Sequence, residues 1–361
     1  MKHILIMESG SFKVIGGAAK DTYQIYKKLK GRKDYEVDIF GDFSKIDPSL
    51  KPSSMSEIMS KDYDLVWLNS IRDVGTADSY MRTHPNSKTK FMYVDRGNVL
   101  LNYKNAKLKK FLPKMIARRY LTSKMASWLD CYVAISSDQF AYAKRFFNGK
   151  TDVRYIMIAP HEEFTVLKQK KTFTGALSVS RLDERQKKLS FMINGIARVK
   201  EVHPALAQKE LLRIVGSGVD EAKYKKLVST LGLSKNIKFQ GFMTGQDLIK
   251  EYNNAAFLVS TSEWEGLGRS LLEAMACGLP LLINENINTV IKDKPHTRII
   301  EDGYNGLVYK YGDTDDFSDK FFRLYTNKRL QKKLASNTRK FMGQFSFGKV
   351  IKKYEEIIDG L

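Results

Sequence analysis

Only two cysteines occur in 361 residues, Cys131 and Cys277, and neither has a CxxC partner or metal-ligand spacing. Their isolation excludes a disulfide framework and points to a reducing compartment with two buried free thiols. Histidine is scarce as well, with five in the chain. No DxD-like pair of acids follows a strand pattern and no His-rich cluster occurs, so no bound metal is expected. Long apolar runs are missing: Ile4 to Met7 is far too short for a membrane span or a signal-peptide core and reads as a first β-strand. Eight prolines, no internal repeat and no low-complexity segment exclude fibrous, disordered and solenoid classes.

Positive charge is what the chain has in excess. Against 40 acidic residues stand 61 lysines and arginines, a formal net charge of +21, which favours an anionic partner or surface. Nucleic acid would satisfy that charge, but no RNA- or DNA-binding signature is present and no aromatic platform is interleaved with the cations. The length favours two domains of about 150 to 200 residues each.

Short apolar runs alternate with helical patterns, which predicts βαβ units and parallel sheets. Strands are expected at His3 to Glu8, Glu36 to Phe40, Leu65 to Asn69, Lys90 to Val94, Cys131 to Ser136 and Arg154 to Ile158, with helices at Ala18 to Lys30 and Ser137 to Phe147. The alternation restarts after the polar stretch Lys168 to Thr174, with strands at Gly175 to Ser180, Leu211 to Val215, Ile237 to Gln240, Phe257 to Ser260 and Pro280 to Ile283. Two doubly wound α/β domains are therefore expected, with ligands beyond the carboxyl ends of their strands and a substrate cleft between facing sheets.

The most informative stretch is SEWEGLGRSLLEAMACGLP, Ser262 to Pro280. Glu265 lies in a turn punctuated by Gly266, Leu267 and Gly268, and Glu273 falls on a helix starting near Arg269. Glycines let backbone amides approach a ligand, and a helix N-terminus adds partial positive charge suited to phosphate or hydroxyl oxygens. Two such carboxylates can accept hydrogen bonds from two separate hydroxyl-bearing rings. A second stretch, SVSRLDERQKKLSFMINGIARV, places Arg181 after a strand and Lys187 before an amphipathic helix, where two cations can neutralise a diphosphate. In a third, Gly216 and Gly218 stand at a strand end, a pattern that by itself usually marks only a tight turn.

The Glu265 to Glu273 spacing and the surrounding EAMACGLP resemble the E-x7-E signature of glycosyltransferase family 4, over most of Ala176 to Ile358 and more weakly before it. The resemblance implies a GT-B fold: two Rossmann-like domains facing a central cleft, residues 1–166 for the acceptor and 167–344 for the donor, with a final helix over 345–361 crossing back to the first domain. It implies a retaining hexosyltransferase using a nucleotide-sugar donor and no cofactor. It assigns Glu265 to the donor-sugar hydroxyls, Glu273 to the ribose, and Arg181 with Lys187 to the pyrophosphate. The spacing is one residue longer than the commonest pattern, so Lys188 is an alternative to Lys187. Gly216, Gly218 and Phe242 are placed near the nucleotide, and Gly16 and Gly17 resemble the glycine-rich loop on the acceptor side. Two departures stand out. Asp95 and Arg96 occupy the place of a histidine found in many members, and the loop after Pro280 lacks the usual double glycine followed by glutamate. His161, a lone histidine near the domain boundary, reads more readily as structural than as catalytic.

From Gly97 to Leu129 the chain has eight basic residues and no acidic one. Lys107, Lys109, Lys110, Lys114, Arg118 and Arg119 surround an apolar helical stripe, a composition suited to an anionic membrane surface, with packing on the sheet as the plainer alternative. The expectation is a cytoplasmic enzyme, peripheral on the inner face of the membrane, that glycosylates a glycan, lipid or lipid-linked acceptor in cell-envelope or polysaccharide biosynthesis. A catalytically silent partner subunit of the same fold, binding an enzyme or a glycan, is the alternative. A nucleotide-sugar epimerase would need acid and base residues near the sugar that the sequence does not display.

Overall fold

A computed structural model describes residues 1–9, 17–96, 100, 120–168, 172–265, 268–288, 298–343 and 345–361. The chain folds as two units, Met1–Ile158 together with Gly348–Leu361, and Ala159–Phe347.

In the first unit, strands β1 (Lys2–Met7), β2 (Tyr35–Phe40), β3 (Leu65–Leu68), β4 (Lys90–Asp95), β5 (Cys131–Ala134) and β6 (Asp152–Tyr155) form a sheet in the order β2-β1-β3-β4-β5-β6. Every pairing in it is parallel. The central strands read as near-continuous apolar runs because helices cover both faces. Helix α1 (Gly17–Lys30) follows β1, α2 (Met55–Met59) and α3 (Asp73–Thr83) flank β3, and α4 (Ser137–Phe147) follows β5. The last helix shows how local chemistry sets its bounds. Ser136 and Gln139 form a reciprocal capping box, and Asn148 closes the other end in the left-handed region at φ 45°, a conformation asparagine tolerates better than most residues.

In the second unit, β7 (Ala176–Val179), β8 (Leu212–Val215), β9 (Ile237–Gly241), β10 (Phe257–Ser260), β11 (Leu281–Asn284) and β12 (Gly306–Tyr309) form a parallel sheet in the order β12-β11-β10-β7-β8-β9. Its helices are α5 (Glu184–Lys187), α6 (Leu189–Val202), α7 (Glu221–Thr230), α8 (Gly245–Asn254), α9 (Arg269–Ala276), α10 (Thr314–Thr326) and α11 (Lys328–Met342); a last helix, α12 (Phe347–Gly360), returns the chain to the first unit. There Tyr354 packs on Trp67 with ring centroids 4.6 Å apart.

The expected doubly wound α/β architecture is what forms in each unit. Most strand ends shift by one or two residues, and the unit boundaries and β6 differ as follows. The second unit begins at Ala159 rather than 167, because Asn253 donates to the Thr165 carbonyl at 2.9 Å and accepts from the Leu167 N–H at 2.7 Å, tying this stretch to α8. The return to the first unit begins at Gly348 rather than 345. Strand β6 runs two residues earlier than expected, set by pairing of Cys131 with Asp152.

Candidate active site

A doubly wound sheet binds ligands beyond the carboxyl ends of its strands, where the winding reverses. In the second unit the chain runs outward from β7 through β8 to β9 and then returns to the other side of β7 as β10. The reversal therefore lies between β7 and β10. After β7 come Arg181 on the loop, Lys187 at the end of the short helix α5 and Lys188 just past it; the loop after β10 carries Glu265, and α9 carries Glu273. Motifs separated by some eighty residues in sequence thus flank one crevice.

Lys187 and Glu265 form an ion pair across these loops, with side chains only 12% and 13% exposed. Lys188 points elsewhere: its ammonium is 3.0 Å from Glu263, both being more exposed. Its backbone is left-handed, at φ 50°, and separates α5 from α6. Of the two candidate lysines, Lys187 is the one beside Glu265.

Gln186 was not singled out in the sequence, yet it joins the two loops. Its side-chain oxygen accepts from Arg181 Nη2 at 2.9 Å, its amide nitrogen donates to the Trp264 carbonyl at 3.1 Å, and its backbone carbonyl accepts from the Glu263 N–H at 2.8 Å. Thr261 adds a bond to the Lys187 carbonyl at 2.8 Å. No local pattern marks these residues, because their partners are distant in the chain.

Glu273 is buried on α9, and the Tyr252 hydroxyl of α8 donates to its Oε2 at 2.9 Å. Burial, and then the neighbouring carboxylate, pushes the Tyr252 phenol well above its ordinary pKa, so Tyr252 stays a donor at any physiological pH. Phe164 packs edge-on against its ring at 5.9 Å. The tyrosine fixes one carboxylate oxygen of Glu273 and thereby the direction of the other.

Gly216 and Gly218 have a packing reason. A Cβ on Gly216 would sit 1.9 Å from the Ser180 carbonyl oxygen, and one on Gly218 2.4 Å from that of Leu182. The loop after β8 lies against the loop that carries Arg181, sealed by the Leu182 N–H donating to the Ser217 carbonyl at 3.0 Å. Gly268, left-handed at φ 52°, turns the chain into α9. Phe242 is 69% exposed beyond β9, and Trp264 beside Glu265 is half exposed. His161 is buried against Phe347 and Phe164, its Nε2 3.4 Å from Arg269 Nη1.

In the first unit Gly17 opens α1. Asp95 and Arg96 both point inward. The Tyr132 hydroxyl donates to Asp95 Oδ2 at 2.5 Å. Arg96 donates to the Ala18 carbonyl at 2.9 Å and Thr22 Oγ1 at 3.1 Å, and lies 3.8 Å from Asp21, with both side chains almost fully buried. Where a histidine was expected, Arg96 braces the start of α1 and Asp95 is tied to Tyr132 of β5, and neither offers a titratable ring. Asp73, fully buried, accepts from the N–H groups of Ser9, Ser70 and Asn69 at 2.9, 2.8 and 3.2 Å. It ties together the ends of β1 and β3, the reversal point of this sheet.

Gly16, Gly266, Leu267, Lys107, Lys109, Lys110, Lys114, Arg118 and Arg119 lie outside the described residues. Among the described residues no group of His, Cys, Asp or Glu is arranged to hold a metal, and no helix is long and apolar enough to cross a membrane. Cys131 and Cys277 are buried and not disulfide-bonded.

Residues 161–341 match the family described as glycosyl transferases group 1. The putative glycosyltransferase EpsD of Bacillus subtilis is 28% identical over 250 residues, which cover 64% of this chain and 61% of that relative. Two solved structures share the fold along the whole chain. Sucrose-phosphate synthase from Thermosynechococcus elongatus gives a TM-score of 0.77 at 15% identity, covering 100% of this chain and 99% of its own. HepE of Anabaena, solved with UDP-glucose, gives 0.76 at 15% identity with both chains fully covered. These likenesses identify the fold as GT-B.

Proposed function

The chain belongs to the group 1 glycosyl transferases, and from that membership we propose that its second unit binds a nucleotide-sugar donor between β7 and β10 and transfers the sugar to a hydroxyl acceptor with retention. What supports the reading is that Arg181, Lys187 and Glu265 are linked across the loops after β7 and β10, with Glu273 on the helix that follows, each with chemistry suited to a different part of such a donor. Arg181, held by Gln186 at 2.9 Å, and Lys187 supply positive charge for the diphosphate. Glu273, oriented by Tyr252, accepts from the ribose hydroxyls, and Glu265 from those of the sugar.

Before donor arrives, Lys187 and Glu265 neutralise each other. A donor that brings an anionic diphosphate and a neutral sugar replaces one ion pair by a lysine–phosphate pair and hydroxyl–carboxylate hydrogen bonds, so neither charge is stranded. In the transfer itself, the bond from the anomeric carbon to the diphosphate breaks with its electrons going to phosphate, through an oxocarbenium-like state. The acceptor oxygen attacks from the same face, and a phosphate oxygen takes its proton. Arg181 and Lys187 stabilise the charge growing on the leaving group, work that fixed cations perform without a metal. The acceptor is proposed to be a glycan, lipid or lipid-linked hydroxyl of the cell envelope, with the basic segment drawing the enzyme to anionic membrane; association with anionic but not neutral liposomes, lost at high salt, tests that part.

A thermal-shift screen of UDP-, GDP- and ADP-sugars in excess EDTA tests the donor site. A cognate donor at 100 times its dissociation constant stabilises by ~2.7 kcal/mol. Release of nucleoside diphosphate that depends on acceptor then separates a transferase from a silent partner subunit. Binding that appears only when magnesium or manganese is restored would overturn the metal-free reading.

A further inference from the structure

A second cavity lies at the opposite end of the same sheet. It is about 580 Å³ in volume and is bounded by Phe173 and Thr174 before β7, Ala256 before β10, Gly278 before β11, and one face of α11. These are the amino-terminal ends of the strands. Strand β7 alone, four residues long, separates this cavity from the loop of Arg181 by ~13 Å. The volume falls in the range of ligand pockets, about 300 to 1,000 Å³.

Its lining is asymmetric in charge. Lys328, Lys332 and Arg339 contribute cations, and among the described residues no acidic one lines it. They stand at helical spacing with Ala335 between them, so one face of α11 presents three cations around a small residue that leaves room for a ligand. Among the described residues none of the three is paired with a carboxylate. Desolvation holds the Lys328 ammonium below its ordinary pKa with no opposing carboxylate. Gly278 shapes the mouth: it is left-handed at φ +75°, and a Cβ there would come within 3.1 Å of Val166 and 3.3 Å of Arg339 Nη1. The wall facing the cations is apolar, with Val166, Leu167 and Phe173. Asn253 is already committed to Thr165 and Leu167 and the Gln331 amide nitrogen to the Leu324 and Tyr325 carbonyls, so the cations are the charged groups that can recognise a ligand.

We propose that this cavity is a binding site for an organic phosphate monoester, the phosphate gripped by Lys328, Lys332 and the Arg339 fork and the organic body resting on the Phe173 wall. An arginine fork with two lysine point charges suits a compact dianion with several oxygens, and a wall without acids suits an anion rather than a cationic or zwitterionic ligand. The site is independent of donor binding and holds whether or not the crevice between β7 and β10 takes a nucleotide sugar.

Calorimetric titration of the full chain, with saturating nucleoside diphosphate to occupy the other site, tests the proposal using sodium phosphate, glycerol 3-phosphate and dihexanoyl phosphatidic acid below its micellar concentration. Saturable binding of a phosphate ester is expected, weakening with added salt and falling about tenfold or more in Lys332→Gln/Arg339→Gln. Because all three cations are exposed, this variant should fold, and its thermal midpoint without ligand verifies that. A bulky Ala335→Phe change should block the ester while leaving inorganic phosphate less affected. Preference for the phosphatidic acid would identify a lipid headgroup as the source, and equal binding of the two esters a free metabolite. No saturable binding of any probe to the wild type, or equal binding by the double glutamine variant, would overturn the assignment.

Discussion

Replacing Lys187 with methionine strands the Glu265 carboxylate in a site where both side chains are only about an eighth exposed. Removing one member of a buried pair costs ~3 to 5 kcal/mol, since the survivor keeps its desolvation without its partner. The residual exposure of this pair trims the expectation to about 3 kcal/mol. Glu265→Gln keeps the shape and strands the lysine instead, with a similar loss. Lys187→Met/Glu265→Gln leaves no charge behind, so it should recover about 2 to 3 kcal/mol relative to the sum of the single changes. Urea denaturation of the full chain measures all four proteins, and Trp264, the second unit's own tryptophan, reports unfolding there. Transfer activity behaves differently: all three variants should lose it, because stability depends on the two charges cancelling and activity depends on both being present. If the single effects add to within about 0.5 kcal/mol, the coupling is absent and the exchange of partners on donor binding is refuted.

Tyr252→Phe should weaken nucleoside diphosphate binding by ~1.5 to 3 kcal/mol through loss of the bond that orients Glu273, whereas Glu265→Gln should lower turnover of intact donor without weakening free nucleoside diphosphate, since Lys187 no longer has to leave a carboxylate; equal weakening by the two changes would contradict the two-ring assignment. Arg96→Leu should destabilise the first unit by about 3 to 5 kcal/mol, read by urea denaturation, because Asp21 loses a buried counter-charge, and an unchanged midpoint would show that Arg96 is not a brace. Burial raises the Asp38 carboxyl, but hydrogen bonds from Lys61 and Tyr63 outweigh it and hold it below its ordinary value. Its contribution is therefore complete above the unfolded pKa of about 3.9 and lost as pH falls through the lower folded value. Asp38→Asn should flatten the acid limb of stability below about pH 4, where the unfolded carboxyl begins to take up protons before the folded one, and an identical pH profile would remove this carboxylate from the acid transition.

Elements announced by their own neighbours were legible. Helix α4 runs as expected from Ser137 to Phe147 because Ser136, Gln139 and Asn148 cap it locally. Strand β12 was missed: it is a four-residue edge strand with the pairing of Leu281 to Gly306 as its anchor, and Leu307 to Tyr309 is too short a run to declare itself. The alternating, half-exposed edge strand β6 was displaced toward the apolar stretch Ile156 to Ile158, since pairing with β5, not hydrophobicity, sets its register. The same contrast holds at the site. Glu265, Glu273 and Arg181 lie in contiguous motifs and could be named. Gln186 reaches Trp264 across 78 positions and Tyr252 reaches Glu273 across 21, and such contacts exist only once the sheet has brought the loops together.

The attachment of α12 to the first unit has a consequence during synthesis. Translation is vectorial, and domains generally close as they emerge. The second unit is one contiguous stretch and can complete its core from its own nascent residues, whereas the first, begun earlier, must wait for Tyr354 to cover Trp67. Its sheet therefore spends the whole synthesis of the second unit with an aromatic face unsealed, a window in which chaperone capture or aggregation competes with closure. A pulse-chase protease assay on stalled nascent chains should find residues 159–347 protected before residues 1–158, reversing the order in which they leave the ribosome.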